Sequence, residues 1–334
     1  MQPGDPVKIE MAPFQGITNL VFREVFTCHF TGVNKLLTPF FTSIHKQNLS
    51  TSRSKELLHV SEHGIPVVPQ ILSKDADEML RFAGFCQQLG FDEINWNMGC
   101  PYPRVARKGR GSGMLPHPDK VEEILSQIMP ELPLKLSVKL RLGYENPDEI
   151  LNLIPVFNHF PLEELAIHAR VGKQLYKGSA NFTAFERAMQ QSTIPVGYNG
   201  DIFTKKDYLK VNDLFPKLSF VMLGRGLLAD PFLPATIKQQ PVPELAEQKQ
   251  LIRRFVDDLY FERRKQHRDG LQTLGNMKEY WWYLSFSFSN PHKVFSRVKK
   301  VKSFNDYEDA VNSLFSDFEW VGHQANLFKK EKNK

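Results

Sequence analysis

The chain is poor in cysteine. It has only Cys28, Cys86 and Cys100, with no Cys-x-x-Cys pair. Three thiols cannot build a disulfide framework, so a reducing, cytoplasmic setting is expected, with no metal. No run of about 18 apolar residues occurs, so no membrane span is expected. The segment Met1–Glu10 has no basic stretch leading into an apolar one, and no secretory signal is expected either. Hydrophobic residues make up 41% of the 334 positions and charged residues 24%, which excludes a disordered chain, a collagen-like fibre and a polytopic membrane protein. The length allows two domains, or one large domain with an extension.

The first three quarters also lack a charge of either sign. Residues 1–248 carry 26 Lys and Arg against 26 Asp and Glu, whereas residues 249–334 carry 17 against 11. The whole net charge of +6 therefore sits in the last 86 residues. A polyanion-binding appendage on a neutral core accounts for this, and a merely basic soluble surface is the plainer alternative.

Eight short apolar runs read as strands: Val7–Ala12, Lys35–Thr38, Val67–Leu72, Glu93–Asn97, Leu134–Leu140, Glu164–His168, Pro195–Tyr198 and Phe220–Leu223. Between them, Asn19–Thr27, Ala76–Leu89, Pro118–Ile128, Asp148–Phe157 and Lys205–Leu214 repeat apolar residues at three- and four-residue spacing, the pattern of a helix with one buried stripe. The alternation predicts an α/β fold, a (β/α)8 TIM barrel. A doubly wound open sheet is the alternative, but the first loop, MAPFQG, is not GxGxxG. A barrel puts its chemistry just after the strands. Polar residues stand there: Gln15, Gln70, Asn95 to Cys100, Lys139, Arg141, His168, Arg170, Asn199 to Asp201, and Arg225.

Pro231–Pro243 holds four prolines in thirteen residues and reads as a linker. Beyond it only helical patterns follow, at Gln248–Lys265, Leu271–Phe288 and Asp306–Phe315, before a tail, FKKEKNK, expected to fray. The domains are thus residues 1–240, a catalytic barrel, and 241–334, an all-helical domain with a basic tail.

The segment EINWNMGCPYPRVARKGRGSGMLPHP, Glu93–Pro118, runs from a buried strand into a long loop rich in Gly, Arg and Lys. Such loops are functional or disordered. Cys100 lies between Gly99 and Pro101 at its start, where a thiol can be exposed or can be simple filler. Cys28 and Cys86 fall on apolar helix faces and are expected in the core.

This segment resembles the signature of the tRNA-dihydrouridine synthases: Asn97-Met98-Gly99-Cys100-Pro101, then the loop Lys108-Gly109-Arg110-Gly111-Ser112-Gly113. The similarity covers nearly the whole chain. MAPFQGITNLVFR, VPQI, SVKLRLG, IHAR, YNGDI and MLGRGLLADPFL match the family in order and spacing.

The resemblance implies an FMN enzyme that uses NADPH to reduce the C5–C6 double bond of uridine in tRNA. Hydride would go from the flavin to C6 and a proton from Cys100 to C5. A thiol with an ordinary pKa near 8.5 is mostly protonated at neutral pH, which suits an acid. Pro13, Phe14 and Gln15 would pack under the flavin, and Gln70 and His168 would hydrogen-bond it. Lys139 would face its anionic edge, unless it is a strand-end lysine reaching solvent. Asn199, Gly200, Asp201, Gly224 and Arg225 would hold the phosphate, although Asn199-Gly200-Asp201 also fits an ordinary turn. Asn97, Arg141 and Arg170 would hold the substrate base or its phosphate.

The target uridine must be extruded from its stack, and the basic helices would grip the RNA. Arg253, Arg254, Arg263, Arg264, Lys265 and Arg268 form one cluster; Lys293, Arg297, Lys299, Lys300 and Lys302 form another. Trp281, Trp282 and Tyr283 could stack on bases but are expected in the core. The chain is expected to be a monomer. A reductase of free pyrimidines or other small enones is the alternative, and a non-catalytic RNA-binding barrel is a third reading.

Overall fold

The computed structural model describes residues 7–44, 54–57, 63–266 and 270–322. Nine strands run in parallel: β1 (Ile9–Met11), β2 (Lys35–Leu37), β3 (Val67–Val68), β4 (Gln70–Ile71), β5 (Glu93–Met98), β6 (Lys135–Gly143), β7 (Leu165–Val171), β8 (Val196–Asn199) and β9 (Phe220–Leu223). Their order is β3-β2-β1-β9-β8-β7-β6-β5-β4. The two ends of that order are halves of one chain segment. β3 pairs with β2, β4 pairs with β5, and only Pro69 separates them. Proline has no N–H to give a ladder, so the stave breaks there. The Thr38 hydroxyl takes up the Gln70 amide at 3.0 Å instead. The sheet thus closes as the expected eight-staved barrel.

The helices around it are α1 (Leu20–His29), α2 (Ala76–Gln88), α3 (Pro103–Ala106), α4 (Pro118–Ile128), α5 (Ile150–Asn158), α6 (Phe182–Gln191), α7 (Lys205–Leu214), α8 (Arg225–Ala229) and α9 (Leu233–Ile237). Several begin where a side chain satisfies a free amide: Asn19 accepts from Phe22, Asp75 from Glu78, Asn181 from Ala184, and Thr204 forms a capping box with Asp207. The apolar stripe of each packs on the outer face of the strands. On β6, Leu136, Val138, Leu140 and Leu142 are fully buried outward, while Ser137, Lys139 and Arg141 alternate with them.

The lower barrel carries a charged plug with no obvious signature in the sequence. Lys35 Nζ lies 2.6 Å from Glu164, 3.1 Å from Glu93 and 3.6 Å from Glu10. Burial, and then the Glu164 charge, push the Glu10 carboxyl well above its usual range.

The helical region comprises α10 (Leu245–Gln266), α11 (Gly270–Leu284), α12 (Pro291–Lys299) and α13 (Phe304–Asp317). The third of these was not anticipated; it buries Val294 and Val298. The expected linker is partly structure too: its Leu233–Ile237 stretch is α9, and most of that helix is buried. The helical region shares one continuous core with the barrel. Phe255 of α10 packs edge-on against Phe22 and Phe30 of the first barrel unit, with ring centroids 6.0 and 4.9 Å away.

Two expectations fail in this region. Cys28 is exposed on α1, not in the core, while Cys86 is buried as expected. Arg263, grouped with the RNA-facing cations, is fully buried. Its Nη2 donates to the Ile17 carbonyl at 2.8 Å, tying α10 to the loop after β1. Arg268 and the FKKEKNK tail lie outside the described residues.

Candidate active site

Barrel register assembles the site. In a parallel ladder, paired residues face the same side. Asn97 pairs with Lys139, Arg141 with His168, and His168 with Asn199. Four strands thereby bring five polar side chains to one end of the barrel. They line a cavity of about 1130 Å³, its open mouth included. Of the residues expected from sequence, Pro13, Phe14, Gln15, Gln70, Asn97, Cys100, Lys139, Arg141, His168, Asn199, Gly200, Asp201, Gly224 and Arg225 all line it.

Arg170 does not. It is buried to 1% exposure and is spent on Asp201, on the carbonyls of Lys177 and Gly178, and on the His168 ring. A register shift against β6, between His168 and Val171 on β7, falls at this point. Arg170 therefore braces the wall and does not reach the cavity.

Cys100 is held by a chain of amides. Asn95 donates to Ser137 at 2.9 Å, Gln70 to Asn95 at 2.7 Å, and Asn97 to Gln70 at 2.6 Å. The Asn97 carbonyl oxygen then accepts the backbone amides of Gly99 and Cys100 at 3.0 and 2.9 Å. One Asn97 N–H remains for the cavity. The basic loop folds back over the cysteine: Ser112 donates both its amide and its hydroxyl to the Cys100 carbonyl, at 3.0 and 3.1 Å. Gly111 has φ +56°, and a Cβ there would come within 2.6 Å of the same carbonyl, so this position needs glycine. Arg110 anchors the loop to Thr42 at 2.9 Å. Burial pushes the Cys100 thiol up, partly offset by the Tyr102 backbone and Arg141. The thiol is thus protonated at neutral pH.

The cavity is electropositive. Burial, and then Arg141, bring the Lys139 ammonium down to about 7; its hydrogen-bond partner is the neutral Asn199 Oδ1 at 3.2 Å. Burial and the surrounding Arg141, Lys139, Arg170 and Arg225 hold His168 well below its ordinary value, so its ring is neutral. Arg141 is brought to about 10 by burial and donates to the carbonyls of Gly99, Val171 and Leu175. Arg225 pairs with Asp201 at 2.8 Å and lies 4.5 Å from the Tyr176 ring centroid. Among the described residues the cavity wall holds two carboxylates, Asp201, set among these four cations, and Glu279.

A buried ammonium with only a neutral hydrogen-bond partner is costly unless an anion joins it. The donor set therefore fits an anionic ligand, and the wall facing Lys139 and the turn at Gly224–Arg225 fits one with a phosphate. Gly224 permits that approach beside Phe14, whose ring would lie 3.0 Å from a Cβ at this position.

Wall residues that sequence reading did not place here include Pro39, Phe40, Tyr102, Tyr176, Phe203, Glu279 and Tyr283, the last expected in the core. The last two come from α11 of the helical region, which crosses the barrel mouth. Tyr283 meets Phe14 edge-on at 5.9 Å. Nothing local marks them; only the packing of α11 on the first loop brings them there. Of the three consecutive rings, only Trp281 is in the core.

Among the described residues no helix is long and apolar enough to cross a membrane, and no group of three or more His, Cys, Asp or Glu could hold a metal ion.

Comparison with known proteins agrees with this geometry. The solved old yellow enzyme homologue from Zymomonas mobilis superposes with a TM-score of 0.53 at 10% identity, covering 72% of this chain and 94% of its own. Morphinone reductase gives 0.52 at 9% identity, covering 71% and 87%. These show the barrel fold alone. Sequence relatives go further. The tRNA-dihydrouridine(16) synthase of Neisseria meningitidis serogroup A is 28% identical over 98% of both chains. The tRNA-dihydrouridine synthase B of Pasteurella multocida is 30% identical over 76% of this chain and 77% of its own. That of Escherichia coli K12 is 29% identical over 91% and 92%. The family model described as dihydrouridine synthase (Dus) matches residues 10–316. With the Asn97–Pro101 strand end, the Lys139 strand and the Gly224–Arg225 turn all meeting in one cavity, this chain belongs to the dihydrouridine synthase family.

Proposed function

We propose that the protein is a flavin-dependent tRNA-dihydrouridine synthase that reduces the C5–C6 double bond of uridine in tRNA. The observation that carries this reading is the meeting, in one cavity, of the Cys100 thiol with Lys139, whose hydrogen-bond partner is the neutral Asn199 and which has no carboxylate partner among the described residues. FMN as the flavin, NADPH as its reductant, a cytoplasmic setting and a monomeric state complete the reading.

A bound FMN would supply two-electron hydride chemistry. Lys139 and Gln70 would face its ring, with Pro13, Phe14 and Gln15 beneath. Arg225 and the turns at Asn199–Asp201 and Gly224 would hold its phosphate, with the Asp201 carboxylate orienting Arg225 and Arg170. The neutral His168 ring gives a hydrogen bond and no charge.

Cys100 holds the proton that goes to uracil C5. Its raised pKa keeps that proton available across neutral pH. Asn97 fixes the cysteine through its carbonyl and offers its remaining N–H to the base. Arg141 is held by three carbonyls and presents charge to the cavity wall. Arg170 acts as a positioning residue through Asp201 and His168.

Residues 1–240 form the catalytic barrel of this reading and 241–334 its tRNA-binding part. Arg263 leaves the set of phosphate contacts; exposed Arg254 and Arg264, with the second lysine-rich cluster, remain. The basic tail region also separates the proposal from a reductase of free pyrimidines, which needs no such surface. The test is to incubate the purified yellow protein with an unmodified tRNA transcript and NADPH, then digest the RNA and look for dihydrouridine by mass spectrometry. Reduction of free uracil, with none of tRNA, would overturn the proposal.

A further inference from the structure

Helix α11 ends in three consecutive rings that point three ways, as about 100° per residue requires. Trp281 is buried and donates to the Tyr307 hydroxyl at 3.0 Å. Tyr283 faces the catalytic cavity. Trp282 is 42% exposed, whereas Trp96, Trp281 and Trp320 are exposed by 2% or less. It opens onto a second cavity of about 790 Å³, mouth included, between the end of α11 and α12, with Phe286, Pro291, His292, Phe295, Lys299 and Lys300 in its wall. Phe286 and Phe295 meet the indole nearly at right angles, with centroids 5.6 and 4.9 Å away. They hold it at a fixed tilt while much of its surface stays open.

Most cations elsewhere on the helices are paired, although exposed Arg254 on α10 also has no ion pair among the described residues. Lys249, Arg253, Arg264, Lys265 and Arg297 each pair with a carboxylate. Lys293, Lys299 and Lys300 are exposed and form no ion pair among the described residues. An open aromatic ring beside two uncompensated ammonium groups, Lys299 and Lys300, with Lys293 on the same helix, is complementary to a nucleotide: a base for the ring, phosphates for the cations. An acidic peptide would satisfy the lysines but leave the indole without a flat partner. The groove and the catalytic cavity lie on either side of the same helix end, so one RNA can occupy both.

We propose that this groove is a base-stacking subsite, in which an unpaired nucleotide of the tRNA, distinct from the uridine being reduced, lays its base on Trp282 while Lys299 and Lys300 hold its phosphates. This rests on tRNA being the substrate. The subsite adds a purchase on the RNA beyond the uridine pocket and fixes how the RNA is presented to the barrel.

The test compares Trp282→Ala, Trp282→Phe and Lys299→Gln/Lys300→Gln with the wild type, as full-length flavin-loaded protein, in binding an unmodified tRNA transcript across a salt series. Trp282→Ala should weaken binding by about 5- to 150-fold without changing the salt slope, the range expected for one lost base stack. Trp282→Phe should recover most of that affinity. The double lysine variant should lower the slope by roughly 1 per lysine that contacts a phosphate. All should keep the flavin spectrum and melting temperature of the wild type. Wild-type affinity in Trp282→Ala would sink the subsite. So would a change in melting that accounts for its loss of binding, or a Trp282-dependent dimer in sedimentation that marks the groove as a contact between copies. Wild-type protein that neither binds nor reduces tRNA would instead count against the function proposed above.

Discussion

Arg263 is one of two arginines in the sequence pair Arg263-Arg264, and structure gives the two opposite tasks. Arg264 is exposed and paired with Glu308, whereas Arg263 is sealed in the core. Burial brings its guanidinium down to about 10. Replacing it with alanine removes the charged hydrogen bond to Ile17, worth roughly 1.5–3 kcal/mol. It also removes two methylenes of the stem, Cγ and Cδ, at about 0.8 kcal/mol each. Part of this is offset because the folded state no longer carries a desolvated, incompletely bonded charge; Nε has no partner among the described residues. A net loss of about 3 kcal/mol follows. At about 2.1 cal/mol/K per residue, the 334-residue chain has an unfolding entropy near 0.7 kcal/mol/K, so its melting temperature should fall by about 4 °C. Arg263→Met keeps the stem and should fall by about half as much. Arg254→Ala should leave melting unchanged and weaken tRNA binding. Calorimetry with the flavin bound, beside tRNA affinity across a salt series, reads both properties. If Arg263→Ala melted like the wild type but lost affinity with a shallower salt slope, the buried assignment would be wrong.

Four further outcomes follow from the site. Cys100→Ala should keep the flavin spectrum and lose 10²- to 10⁴-fold of turnover on tRNA, the usual range for a general acid; unchanged turnover would remove Cys100 from that role. Because an anion favours the protonated Lys139, FMN binding to flavin-stripped protein should take up a proton and weaken above about pH 7, approaching tenfold per unit, while Lys139→Met should show a flat profile. Lys139 also has a folded pKa of about 7, below its ordinary 10.5, so the unfolded chain binds more protons between those values and the stripped protein should gain stability as pH rises through that window. Gly111→Ala, at φ +56° against the Cys100 carbonyl, should lower turnover while leaving FMN affinity within a few-fold, read by steady-state kinetics and fluorescence titration.

Much of the barrel was legible because its signals are local. Pro118–Ile128 and Lys205–Leu214 form helices with the bounds their periodicity implies, and all eight strand segments lie where the apolar runs place them. The wall residues that follow strands were legible for the same reason: the fold puts strand ends at one rim. The short α12 was missed although Val294, Phe295 and Val298 fall at helical spacing on it. Arg170 was misplaced because an irregularity of register, invisible in a run such as IHAR, changes what the later residues of that strand face.

By itself the sequence determined the alternation of strands and helices, the rim chemistry around Cys100 and Lys139, and the concentration of positive charge in the last 86 residues. Only tertiary structure decided which of those charges is free. Arg263 and Arg264 are neighbours with the same side chain, yet one supports the loop under the cavity and the other faces solvent. It also decided that α11 would place Tyr283 and Glu279 at the mouth and Trp282 on a separate groove. The reason is that burial and approach come from contacts between segments far apart in the chain, while propensity, periodicity and net charge are properties of each segment alone.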